Sequence, residues 1–209
     1  MVSHLCPGLT VEVGSGPGRF AEFYGGVIPS DVLFVPWVDV VLDAMHLPFK
    51  TRAVHNLVML DVFHHLDPSA FLDEATRVLS PGGRVVMIEP YISPFSYLVY
   101  RFIHEEPTKL DEDPFWSHRS RATYPLDGNQ ALPTLTFWRD PQRFQERWPA
   151  LTIRHKELFS LLLYPLSGGY GYPSLIPRFG VPAVRWIERR LSPLRRWLAF
   201  RTLVVLERC

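Results

Sequence analysis

With 209 residues, 47% hydrophobic and 21% charged, the chain has enough material for one domain with a sizeable core and does not read as disordered. A net charge of +1 gives no bulk electrostatic case for nucleic acid. The two cysteines, Cys6 and Cys209, stand far apart without metal-ligand spacing, which argues against a disulfide framework and for a reducing, cytoplasmic compartment. Met1 to Pro7 has no basic segment followed by an apolar one, so no signal peptide is expected. The longest apolar run, around Leu158 to Leu166, is too short to span a bilayer.

Thr10–Val13 is β-branched and suits a buried strand. Glycines follow at 14, 16 and 18, and a helical pattern over about 18–24 stops at Gly25-Gly26. Glycines let a backbone approach a ligand closely, and N–H groups at a helix start attract anions. Taken alone, this spacing fits a plain turn equally well. Val27–Asp31 reads as a second strand weakened by Pro29, and Val38–Asp43 as a third. A parallel crossover needs about a dozen residues. Only Val32 to Trp37 lies between these two strands, so either a helix is missing or they meet through an irregular turn.

Leu57–Leu60 is a fourth strand. Asp67 and Pro68 then open a helix as N-cap and first residue, with an apolar stripe at Phe71, Leu72, Ala75, Val78 and Leu79. Ser80-Pro81-Gly82-Gly83 should end it with a left-handed glycine cap. Val85–Ile88 is a fifth strand. Residues 91–148 are rich in aromatics and proline and show no long period. A sixth strand falls within 151–163 and a seventh at Thr202–Leu206, with a helical stretch over 181–199 broken at Pro193.

Strands alternating with helices imply an α/β sandwich around a mostly parallel sheet, whose ligands bind at the carboxyl ends of the strands. That rule selects Gly14–Gly18, Asp31, Asp43, Asp61 and Glu89–Tyr91.

Four segments carry a resemblance: Glu12-Val13-Gly14-Ser15-Gly16-Pro17-Gly18, Asp43-Ala44-Met45-His46-Leu47-Pro48-Phe49, Leu60–Leu66 with its His64-His65 pair, and Glu74–Arg84 with its Arg77-Val78-Leu79-Ser80-Pro81-Gly82-Gly83. In this order over residues 10–90 they resemble the class I S-adenosylmethionine-dependent methyltransferases of small-molecule type. Dinucleotide-binding domains usually place their third glycine one position later. The resemblance implies a single domain over 1–209 with a Rossmann-like sandwich, its seven-stranded sheet mostly parallel with an antiparallel last strand. It also implies S-adenosylmethionine as cofactor and no metal.

The resemblance further suggests roles. Glu12, Gly14, Ser15, Gly16, Pro17 and Gly18 form the cofactor loop, with Glu12 either ordering it or touching the methionine tail. Asp31 accepts from the ribose hydroxyls or serves a turn. Asp43, with Ala44 and Met45, reads the adenine or makes an Asx turn. Leu60 offers its carbonyl to the methionine ammonium. A hydroxyl acceptor needs a base; Asp61 and His65 are the candidates, with Tyr91 and His104 further out. His65 also suits a structural role, and His64 is expected to be exposed.

Residues 91–148 are expected to form an irregular insertion covering the acceptor side, with Tyr91, Phe95, Tyr97, Tyr100, Phe102, Phe115 and Trp116 as walls. A glycine-bearing loop, Tyr164–Tyr170, either reaches the same pocket or is a plain turn. The acceptor is then a small, largely apolar or lipid-linked molecule and not a nucleic acid. A catalytically degenerate protein that binds the cofactor or a partner is the alternative, and a nicotinamide enzyme lacks its expected Tyr-x-x-x-Lys pair here. Residues 185–201, with six arginines and two tryptophans, suit either a solvated sheet-covering helix or a peripheral membrane contact.

Overall fold

The structure, a computed structural model, describes residues 1–16, 19–116, 128–169 and 172–209. Among these, seven strands form one sheet: β1 (Thr10–Val13), β2 (Val27–Asp31), β3 (Val40–Val41), β4 (Val54–Leu60), β5 (Leu79–Pro90), β6 (Leu151–Phe159) and β7 (Arg201–Arg208). Their order is β3-β2-β1-β4-β5-β7-β6. The first five pair in parallel, and β7 lies antiparallel between β5 and β6. This is the expected mostly parallel sheet with an antiparallel last strand. β1, β4 and β7 are almost continuously buried because both faces of the sheet's centre are covered.

The β2–β3 connection is an irregular turn, with no helix in residues 32–39. The third strand is far shorter than the sequence suggests, with ladder pairs only at Val40 and Val41. Pro29 is tolerated for the same reason. Its carbonyl accepts from Asp39 N at 2.9 Å, so its nitrogen also faces the β3 side, beyond the ladder pairs of that short strand.

Helix α1 (Arg19–Phe23) is little more than one turn. Helix α2 (Pro68–Val78) starts as its sequence dictates, with the Asp67 carboxylate accepting from Ala70 N at 2.9 Å. Its end differs from the glycine cap expected. Leu79 is already extended, at φ −66° and ψ 139°, because it is buried and pairs with Val54 as the first residue of β5. Gly82 falls inside the strand's opening turn instead.

The segment 91–148 is more regular than its composition suggests. Helix α3 (Pro94–Ile103) opens on a reciprocal capping box between Ser93 and Ser96. A helical stretch over 132–139 and the helix Pro141–Arg147 follow. Leu132, Phe137, Phe144 and Trp148 join Val11, Leu57, Phe71 and Leu72 in the main core. Tyr100 is likewise buried, its hydroxyl donating to the Phe200 carbonyl at 3.1 Å, so it is a core ring and not a pocket wall. The last helical stretch breaks where Pro193 predicts, into Val181–Arg190, a single turn Ser192–Leu194, and Arg195–Leu198. Among the described residues no helix is long and apolar enough to cross a membrane.

Candidate active site

The carboxyl ends of β1, β2, β4 and β5 lie side by side, and the loops leaving them build the site. The loop after β1 turns through Gly14 at φ +70° and Gly16 at φ +49°, a region that favours glycine. A Cβ on Gly14 would meet Val62 Cγ2 at 2.5 Å, whereas one on Gly16 would meet nothing within 4 Å. The loop is therefore packed at its base and open at its tip. Ser15 N donates to the Ser30 carbonyl at 2.8 Å, and the Ser15 hydroxyl to Glu12 Oε2 at 3.0 Å. Burial pushes the Glu12 carboxyl upward against the opposing bond from Ser15. Glu12 thus orders the loop from below.

Asp31, at the end of β2, reaches the same tip. Its Oδ2 accepts from Gly16 N at 3.0 Å and its Oδ1 from Leu33 N at 3.0 Å. Trp37 Nε1 donates to the Gly16 carbonyl at 2.6 Å from the opposite side. Asp43 closes a local turn, Oδ1 accepting from Met45 N at 2.8 Å and Oδ2 lying 2.9 Å from His46 Nδ1. Ala44 beside it is buried. Pro17 and Gly18, expected in the same loop, lie outside the described residues.

β4 ends at the partly exposed Leu60. Asp61 follows at φ +58°, with its N–H donating to the Ile88 carbonyl at 3.0 Å. Its Oδ1 lies 2.5 Å from Arg201 Nη1 at the start of β7. The contact is a short ion pair, and the guanidinium is the partner that favours the Asp61 charge. Burial raises the Asp61 carboxyl, and the arginine opposes that only in part. The Arg201 guanidinium also lies over the Tyr164 ring, 5.1 Å from its centroid. Leu60, Asp61 and Arg201 line a cavity of about 310 Å³ whose other walls include Ile88, Phe159, Leu163 and Tyr164. The loop after β6 thus reaches the pocket through Tyr164 and Ser167. Tyr170, the end of that loop, lies outside the described residues.

The histidine pair corrects one expectation. Phe63 turns into the core within the short helical turn Phe63–His65, which carries His64 inward as well. His64 is buried, not exposed, with Nδ1 2.8 Å from Glu89 Oε2 and Nε2 3.2 Å from Glu106 Oε2. Burial lowers its pKa, but the bonds to Glu106 and Glu89 outweigh it and raise the imidazole to about 9. Glu89 also accepts from Val62 N and Phe63 N, at 2.9 and 2.8 Å. Burial works against the Glu106 charge, yet His64 first, with His65 and Gln130, lowers it to about 2. The His65 ring lies tilted against His64, centroids 4.1 Å apart, with Nε2 3.8 Å from Glu106. Of the two candidate bases, Asp61 lines the cavity and His65 does not.

Arg201 and Glu106 were invisible as site residues in the sequence. Glu89 had a signal, being a carboxylate at the end of an apolar strand.

Residues 11–87 match the sequence model of a family described as a methyltransferase domain. No curated protein matches. Similar solved structures include a SAM-dependent methyltransferase from Archaeoglobus fulgidus, with TM-score 0.59, 13% identity, and coverage of 99% of this chain and 89% of that one. A geranyl diphosphate methyltransferase in complex with SAM gives 0.55 and 14%, covering 100% and 82%. The geranyl diphosphate C-methyltransferase of Streptomyces coelicolor A3(2), with Mg2+, geranyl diphosphate and S-adenosyl-L-homocysteine, gives 0.54 and 14%, covering 100% and 76%. At these identities the likeness is one of fold.

Proposed function

From the methyltransferase-domain match over residues 11–87 and a sheet order shared with solved methyltransferases, we propose that the chain is a class I S-adenosylmethionine-dependent methyltransferase that methylates a small, largely apolar or lipid-linked acceptor. The observation that carries this reading is the cavity beside Leu60 and Asp61, apolar on most walls and holding one carboxylate paired with Arg201. Apolar walls suit an apolar acceptor.

The residues present fit the cofactor. The open tip at Gly16 leaves room for close approach, and Asp31 stands within hydrogen-bond distance of that tip. Each Asp31 oxygen accepts one N–H and keeps a lone pair for a ribose hydroxyl. Asp43, Ala44 and Met45 would face the adenine, and the Leu60 carbonyl the methionine ammonium. When bound, the cofactor supplies an electrophilic methyl group on a sulfonium. The chain's own contribution is to align the acceptor and take up a proton at Asp61. Burial raises the Asp61 carboxyl, which makes it a stronger base than an exposed carboxylate.

A second reading, a member that has lost catalysis, draws on a separate observation. Both Asp31 oxygens and both Asp43 oxygens have partners within the chain, and Trp37 lies against Gly16.

Calorimetric titration tests both readings. S-adenosylmethionine and its demethylated product should bind saturably, and NAD should not. Gly16→Val should abolish binding while the protein stays folded, since its Cβ meets no protein atom and the left-handed conformation costs about 1–2 kcal/mol. Asp31→Ala should weaken binding by about 1.5–3 kcal/mol. Labelled methyl should reach an apolar acceptor from extracts and should not do so with an Asp61→Asn variant that still binds the cofactor. Cofactor binding without transfer to any acceptor favours the second reading. Transfer to tRNA or DNA alone overturns the acceptor class.

A further inference from the structure

Helix α3 is turned the wrong way for a surface helix. Ser96 and Tyr100 face inward, while Phe95, Leu98 and Phe102, at i, i+3 and i+7, share the outward face. Phe102 is 76% exposed, and Ile103 beside it is exposed too. A second stretch repeats the anomaly. Leu175, Phe179, Trp186 and Trp197 all stand out of the surface, Phe179 at 87% and Trp197 at 63%. The two stretches adjoin: the Tyr172 hydroxyl donates to the Ile103 carbonyl at 2.9 Å, and α3 packs against the helix Arg195–Leu198.

The charge on this face is mostly positive, although Arg195 lies 3.7 Å from the carboxylate of Glu157. Residues 172–198 hold Arg178, Arg185, Arg189, Arg190, Arg195 and Arg196, all exposed. Their single acid, Glu188, is turned toward the body, where its Oε1 accepts from Leu162 N and Leu163 N at 2.7 and 2.7 Å. Arg190 lies over the Trp186 ring at 5.1 Å, so cation and aromatic are presented together.

We propose that this face docks on an anionic lipid bilayer, with its rings and aliphatic side chains at the headgroup–acyl boundary and its arginines on lipid phosphates. Charge complementarity selects that occupant. A second copy would set one arginine-rich surface against another. The apolar side chains also protrude singly from the surface, which suits a fluid partner that closes around them.

The docked face stands beside the cavity. The helix Val181–Arg190 packs on the turn Leu163–Leu166, and Leu163 and Tyr164 of that turn line the pocket. Delivery of an acceptor from the bilayer rests on the proposed methyl transfer; the docking itself does not.

Flotation of the full chain, without cofactor, with phosphatidylcholine vesicles and with phosphatidylcholine–phosphatidylserine vesicles tests the docking. Affinity for the mixed vesicles should be at least about tenfold higher and should fall with salt. Arg185→Glu with Arg189→Glu and Arg190→Glu should remove that preference, since each arginine contributes about fivefold. Trp186→Ala with Trp197→Ala should weaken binding to the mixed vesicles by at least about tenfold. These side chains are exposed, so thermal melting should be unchanged and would expose any misfolded variant. No binding to mixed vesicles, equal binding to neutral ones, or indifference to both sets of variants overturns the proposal. So does a dimer in light scattering that the tryptophan variant abolishes, which would assign the face to a second copy. None of these outcomes depends on whether methyl is transferred.

Discussion

Arg201→Met should destabilise the protein by about 3–5 kcal/mol, the cost of stripping the partner from a buried charge. Arg201 is buried at the first position of β7, between β5 and β6, and its ion-pair partner is Asp61 at 2.5 Å. Without the guanidinium the carboxylate would remain in a place that already disfavours its charge. Asp61→Asn combined with Arg201→Met removes both charges, and the double variant should regain much of the loss. Urea denaturation of the two single variants and the double gives the coupling directly. A loss under about 1 kcal/mol for Arg201→Met would mean the pair is solvated, because exposed pairs contribute no more than that.

The second large effect is one of pH. The folded-state pKa of His64 is raised from 6.5 to about 9. Its contribution is therefore fully present below pH 6.5 and is lost as the pH rises through about 9. That difference corresponds to about 3 kcal/mol. Glu106 has the opposite sign: lowered from 4.5 to about 2, it contributes above pH 4.5 and loses that contribution as the pH falls toward 2. Because the two groups share one contact, the effects overlap and do not add. Denaturation curves across the pH range should show greatest stability between these limits, with a decline on the alkaline side. His64→Gln should flatten the alkaline limb; a limb of unchanged slope in that variant would show that another group titrates there.

The parts legible in the sequence were those set by near neighbours. Thr10–Val13 with its glycines, and Asp67 capping α2, need only a few residues of context. The irregular β2–β3 turn was legible too, because a connection so short leaves no room for a crossover helix. What escaped depends on distant partners. Which of two adjacent histidines turns inward is decided by Glu89 and Glu106, which lie 25 and 42 residues further along the chain. Arg201 read as the last cation of a basic run, yet its strand is inserted between two others and takes it inside. Leu79 leaves the helix early because pairing with Val54 overrides the local preference for a glycine cap. Tyr100 looked like its exposed aromatic neighbours until α3 had a face.

The short β2–β3 turn sets the sheet's margin apart from its centre. β3 contributes two ladder residues at the edge, and Val32, Leu33, Phe34 and Trp37 beside it are exposed. Such a margin opens by local fluctuation at a small fraction of the free energy needed to unfold β4, β5 and β7. Amide protons of Leu33 and Asp39 should therefore exchange with solvent long before those of the central strands. A ligand seated on Asp31 must first still this margin, so part of its contact energy goes into ordering the chain. Affinity would then be limited by the restlessness of eight residues as much as by the contacts that Asp31 offers, and binding would register as slower exchange at the sheet's edge with the centre unchanged.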